Sequence, residues 1–143
     1  MISRAFALLI AFAALSFAQQ CPQGYTLSGG ICVASITPAS HSISAAYTTV
    51  IGDANTFLYH PSADTSARTW TIDSNANVAY AINTCLTFVN DASAGTLTIA
   101  ITSDTLVLAG AGTTGSRTLA ANGIATACKM TSTRWMINGA GLT

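Results

Sequence analysis

The sequence predicts an all-β protein, a small antiparallel sandwich or barrel-like domain of short strands. Three observations carry that prediction. Only 7% of residues are charged and none is Glu, against an ordinary ~25% charged, so Thr, Ser, Asn and Gly must supply the polar surface. Thr, Val and Ile favour strands, whereas long surface helices need the Glu and Lys that are nearly missing. Apolar and polar residues also alternate in short bursts separated by Gly, Pro, Asn and Asp, the pattern of a sandwich or barrel. Half of the residues are apolar, which sets the chain apart from a weakly charged disordered segment.

Taken in order, residues 47–51 and 56–59 are strand candidates separated by Gly52-Asp53-Ala54-Asn55. His60-Pro-Ser-Ala-Asp64 is turn chemistry, because Pro fixes φ and Asp can bond the neighbouring backbone. Arg68-Thr-Trp-Thr-Ile72 alternates as a half-buried strand does, and residues 73–77 form the next loop. Residues 85–90 and 96–102 flank Asp91-Ala-Ser-Ala-Gly95 and predict a hairpin. Residues 105–108 make a further strand, and the glycine-rich stretch 109–116 an extended loop. Residues 117–119 lead to Asn122-Gly123, a strong turn signal. Residues 124–131 and 134–138 then predict a last hairpin about Ser132-Thr133, with Ile124, Thr126, Cys128 and Met130 on one face.

The first 18 residues predict a secretory signal. Arg4 precedes an apolar run over residues 5–15, and Ser16-Phe-Ala18 places small residues at the −3 and −1 positions of a cleavage site. That run is shorter than the ~20 residues of an ordinary spanning helix. Gln19-Gln20 also stand before Cys21 where a lipobox needs small residues. Cleavage after Ala18 is therefore favoured over a retained anchor, and the membrane enters only through this segment if it stays uncleaved. Export to the periplasm or beyond fits the four cysteines, which pair in an oxidising compartment. Four cysteines allow three connectivities. Cys21 with Cys32 is the local choice, with Gly24 and Gly29-Gly30 turning the chain back; it leaves Cys85 with Cys128. A zinc site is the competing reading, though no CxxC pair occurs and His41 and His60 sit in no ligand pattern. Residues 19–43 are then a stapled segment and linker, and 44–143 the body.

The body resembles a β-domain of tailed-phage virion and tail-fibre-like proteins. The matching stretches are residues 58–72, Leu86-Thr-Phe-Val-Asn90, residues 97–105, residues 109–123, and the close from Thr133 to Thr143 with its terminal Trp and its glycines. The resemblance implies a non-enzymatic virion structural or adhesion module, fibre- or knob-like and self-associating, with a trimer favoured. Its implied partners are other virion proteins or a host-surface glycan or protein. Two departures stand out: such domains usually close long virion proteins with no export signal, and apolar residues or Thr are expected where Cys85 and Cys128 stand. The alternative reading of an exported copy is a bacterial secreted or cell-surface binding protein that carries a phage-derived domain.

Catalytic readings weigh less than structural ones. His60, Ser62 and Asp64 collect triad residue types on one tight turn, but a triad is defined by geometry. Gly110-Ala-Gly-Thr-Thr-Gly115 spells GxGxxG without the strand, helix and later acidic residue that a dinucleotide site needs. A glycosidase pair would have to come from Asp53, Asp64, Asp73, Asp91 and Asp104, all in turns or at strand ends. Asp73, Asn75 and Asn77 resemble the start of a calcium loop that lacks its later carboxylate. Trp70 and Trp135 are candidate surface or oligomer contacts, with the core as the competing place for both. Net charge is zero, which gives no electrostatic footprint for nucleic acid. No enzyme, cofactor or metal is expected.

Overall fold

The computed structural model describes residues 25–28, 31–34 and 40–143, and among them it is an all-β protein. The signal segment, its cleavage site and the Cys21–Cys32 pairing lie outside the described residues. The chain forms two units. The first, residues 1–36, holds an antiparallel pair, β1 (Tyr25–Ser28) with β2 (Ile31–Ala34). The second, Thr37–Thr143, holds a nine-stranded sheet.

That sheet comprises β3 (Ser40–Ser42), β4 (Tyr47–Thr48), β5 (Phe57–His60), β6 (Arg68–Ile72), β7 (Cys85–Asn90), β8 (Leu97–Ile101), β9 (Thr105–Leu108), β10 (Arg117–Thr131) and β11 (Arg134–Leu142). Its main path runs β3-β5-β7-β10-β8-β6-β4, with β11 on β10 and β9 on β11. Each of the first strands therefore pairs with its second neighbour in the chain. The strands β3, β5 and β7 lie parallel in one arm, and β4, β6 and β8 lie parallel in the other. The chain winds from arm to arm, and the antiparallel pairs gather around β10, which pairs with β7, β8 and β11. Ser40–Ser42 and the buried Ile43 belong to this body, ahead of the boundary expected at residue 44.

The expected hairpin between residues 85–90 and 96–102 is corrected by this winding. Both runs are strands, but β7 and β8 do not pair with each other. Each instead pairs with β10, β7 along Gly123–Cys128 and β8 along Arg117–Leu119. Asn122-Gly123 likewise does not separate two strands. It is an irregularity within β10 where the register slips between Leu119 and Ile124, with Asn122 at φ 60°. The strand bends there from one arm to the other. Gly123 makes the bend feasible, because a Cβ on it would lie 2.6 Å from both the Ala120 carbonyl oxygen and Leu119 Cδ1. The hairpin about Ser132-Thr133 forms as expected, between β10 and β11.

Alternation sets the core. Leu58, Trp70, Ile72, Leu86, Phe88, Leu97, Ile99, Leu119, Trp135 and Ile137 are all fully buried between the arms. The Trp70 and Phe88 rings, from opposite arms, lie 6.3 Å apart, and Tyr80 meets Trp135 edge-on at 5.5 Å. Neither tryptophan is a surface contact. Both have zero exposure, and Trp70 Nε1 donates to the Ala45 carbonyl at 3.0 Å. The competing expectation, core, is what the structure shows: alternation puts Trp70 on the buried face of β6 with Ile72, and Trp135 on the buried face of β11 with Ile137.

Candidate functional site

His60 stands at the end of β5 with its ring fully buried. Nδ1 lies 2.8 Å from Asn90 Oδ1 and Nε2 lies 3.0 Å from Asp64 Oδ2. The Asn90 amide nitrogen donates to the carbonyls of Gly95 and Leu119, which fixes its oxygen toward the imidazole. Asp64 also accepts from Arg68, at 2.7 Å and 3.1 Å, and from the Ser66 backbone. The hydrogen bonds of this cluster thus tie the turn 61–64 and the turn 91–95 to β6, β7 and β10. Gly95 is required beside it, since a Cβ there would meet the Ser66 carbonyl oxygen at 2.1 Å. Ser62 faces Asp91, not the imidazole, so the triad residue types are not assembled into a triad.

The Arg68 guanidinium holds the Asp64 carboxyl well below the usual carboxylate range, with the His60 and Ser66 bonds adding to the effect and desolvation opposing it. A depressed carboxylate stabilises the fold above its unfolded value, about 3.9, and that contribution is lost as pH falls below it. We expect thermal stability to decline steadily from pH 4 toward pH 2. Asp64→Asn should melt lower at neutral pH and show a flatter acid limb; parallel acid limbs in the two proteins would exclude this role.

The other carboxylates are similarly occupied. Asp53 accepts from His41, from the Tyr47 hydroxyl at 2.8 Å and from the Val50 backbone. Burial and this acceptor push the Tyr47 phenol well up from its ordinary value. Asp73 Oδ1 accepts from Ser74, Asn77 and Thr102. Asn75, the second residue of the calcium-like pattern, directs its Oδ1 at Lys129 Nζ, 2.6 Å away. The Lys129 side chain therefore occupies the direction in which a calcium ligand would have to point. Asp91 accepts from the Tyr59 hydroxyl, and Asp104 from the Asn75 backbone. The glycine-rich stretch turns back on β9 through a Val107–Thr114 bridge and is followed by β10, so no helix receives a phosphate there.

What the structure leaves presented is the outer face of β5, β7, β10 and β11. Register aligns its side chains in rows across the strands. Cys85, Cys128 and Met136 form one row; Phe57, Thr87, Thr126 and Asn138 the next; Tyr59, Val89, Ile124 and Ala140 the third. Cys85 and Cys128 are joined by a disulfide, and the Thr87 and Thr126 hydroxyls lie 3.2 Å apart. These three rows contain no charge, and Ile124 and Met130 are 44% and 39% exposed. The shared face of Ile124, Thr126, Cys128 and Met130 was legible in the sequence. Its outward direction was not, because alternation defines two faces without saying which one is buried. Sequence reasoning missed Lys129, which lies on the buried face with Ala125 and Ala127. The available signal was its place in that alternation.

Among the described residues no helix is long and apolar enough to cross a membrane, and no His, Cys, Asp and Glu cluster is arranged for a metal. No protein family, curated protein or solved structure matches the chain.

Proposed function

We propose that this chain is an exported, non-enzymatic structural and adhesion module, fibre- or knob-like, that self-associates through the outer face of β5, β7, β10 and β11. The observation that carries the reading is the charge-free, partly apolar surface of that face on an otherwise Thr-rich body. Exposed apolar sheet surface marks interaction sites, and its removal from water favours association without charge repulsion to overcome. The occupants are further copies of this chain gathered about that face, with a trimer as the assembly implied by the fibre resemblance. The disulfide supports an oxidising compartment, in keeping with the secretory pattern of residues 1–18.

Light scattering on the purified protein tests this. The expected result is a mass that is an integral multiple of the protomer at micromolar concentration. Ile124→Lys should shift it toward the monomer while leaving the melting temperature within about 2 °C of the parent's monomeric value, since exposed substitutions change stability little. A parent protein that is monomeric at that concentration would overturn the proposal.

A further inference from the structure

Lys129 is the one lysine of the chain, and it is fully buried. A lysine is almost never fully buried unless it is paired with an opposite charge, yet no salt bridge of the described residues includes it. Its Nζ has a neutral hydrogen-bond partner, the side-chain amide of Asn75, at 2.6 Å, and it lies 5.6 Å from the centre of the Trp135 ring. Both ends of this contact are held. Lys129 exchanges backbone hydrogen bonds with Thr84 and Asn83, and is paired with Trp135 across β10 and β11. Asn75 is held by its backbone N–H, which donates to Asp104 at 3.0 Å. The amine and the amide are separated by 54 residues in sequence, so only the fold brings them together.

We propose that Lys129 and Asn75 are a covalent modification site, joined after folding by an intramolecular isopeptide bond. The free-base amine attacks the side-chain amide carbon of Asn75. The new N–C bond forms, the carbon–NH2 bond breaks, and the amine proton passes to the departing nitrogen, which leaves as ammonia. No oxidant, reductant or further reactant is required. Three physical arguments support the step. A nucleophile held 2.6 Å from the side-chain amide that bears its target carbon behaves as if present at an effective concentration far above any in solution. Burial of Lys129 limits the access of water, the competing nucleophile, to the amine side of the contact. The product amide cannot ionise, so the bond removes the cost of keeping an ionisable amine buried beside a single neutral hydrogen-bond partner. The carbon occupies the same place whichever way the Asn75 amide is oriented. Asp104 is a positioning residue, acting through the Asn75 backbone.

The test is peptide mapping of the full-length protein by mass spectrometry after complete disulfide reduction. The expected result is a single species in which the Lys129 peptide and the Asn75 peptide are joined, lighter than their sum by one ammonia. Trypsin should fail to cut after Lys129. Lys129→Met, which fills similar volume, and Asn75→Ala should each abolish the joined species. Separate peptides of unaltered mass would overturn the proposal. So would loss of ammonia without a joined peptide, the mark of a succinimide at Asn75 or of a cyclised N-terminal Gln.

Discussion

Trp70→Ala should be the most damaging single substitution in the body. The ring is fully buried between the two arms, 6.3 Å from Phe88 and 5.8 Å from the His60 imidazole, and its nitrogen holds the Ala45 carbonyl. Truncating a buried tryptophan typically costs about 3–5 kcal/mol through lost transfer energy and the cavity left behind. A small domain has only ~5–15 kcal/mol in total. The cavity would open where β5, β6 and β7 converge, so the imidazole would also lose its packing. Denaturant unfolding followed by far-ultraviolet circular dichroism should show a large fall in midpoint with the slope retained, or no cooperative transition at all. Trp70→Phe should recover most of the packing but leave the Ala45 carbonyl without its donor. A midpoint for Trp70→Ala close to the parent would show that the arms are held together elsewhere.

The second large effect is expected from the bridge between Cys85 and Cys128. The two residues face each other across β7 and β10 with Cα atoms 4.1 Å apart, and the bridge spans 43 residues of sequence. Loop entropy alone assigns such a bridge about 4 kcal/mol. For a domain of this size that corresponds to a fall in melting temperature on the order of 15–30 °C. The loop it closes contains β8, β9 and the bend of β10. Those are the elements that carry the chain from one arm to the other, and apart from the Val107–Thr114 bridge they are held by partners distant in sequence. The double variant Cys85→Ala/Cys128→Ala should show the loss in calorimetry with the N-terminal cysteines untouched. A shift of less than about 2 °C would mean that the unfolded chain is already compact in this region, so that closing the loop constrains little.

Much of the secondary structure was legible residue by residue. The runs Arg68–Ile72, Cys85–Asn90 and Thr105–Leu108 form strands with the bounds that alternation and flanking turn residues imply. The hairpin about Ser132-Thr133 was legible for the same reason, because β10 and β11 are adjacent in both sequence and space. The pairing of β7 and β8 was misread because alternation is identical for two strands side by side and two strands face to face. In both arrangements one side of each strand is buried. The connection 91–96 is long enough for either, and what decides is the parallel partner that each strand finds, β5 for β7 and β6 for β8. The candidate site divides along the same line. Cys85 and Cys128 were paired by elimination among four cysteines, whereas the burial of Lys129 and its meeting with Asn75 depend on the bend of β10 and the loop 73–77 arriving together.

By itself, then, the sequence determined an uncharged, Thr-rich β body, the places of its strands, and the residue types at its turns. Those are properties of local propensity and of the two-residue period, and each is settled within about ten residues of chain. The tertiary structure decided which face of each strand is inside, which strands are neighbours, and what the two tryptophans, His60 and Lys129 touch. Those are decided by contacts between residues distant in the chain. The winding of strands between two arms favours such contacts, because each strand from β3 to β8 bonds to a strand that is not its neighbour in sequence.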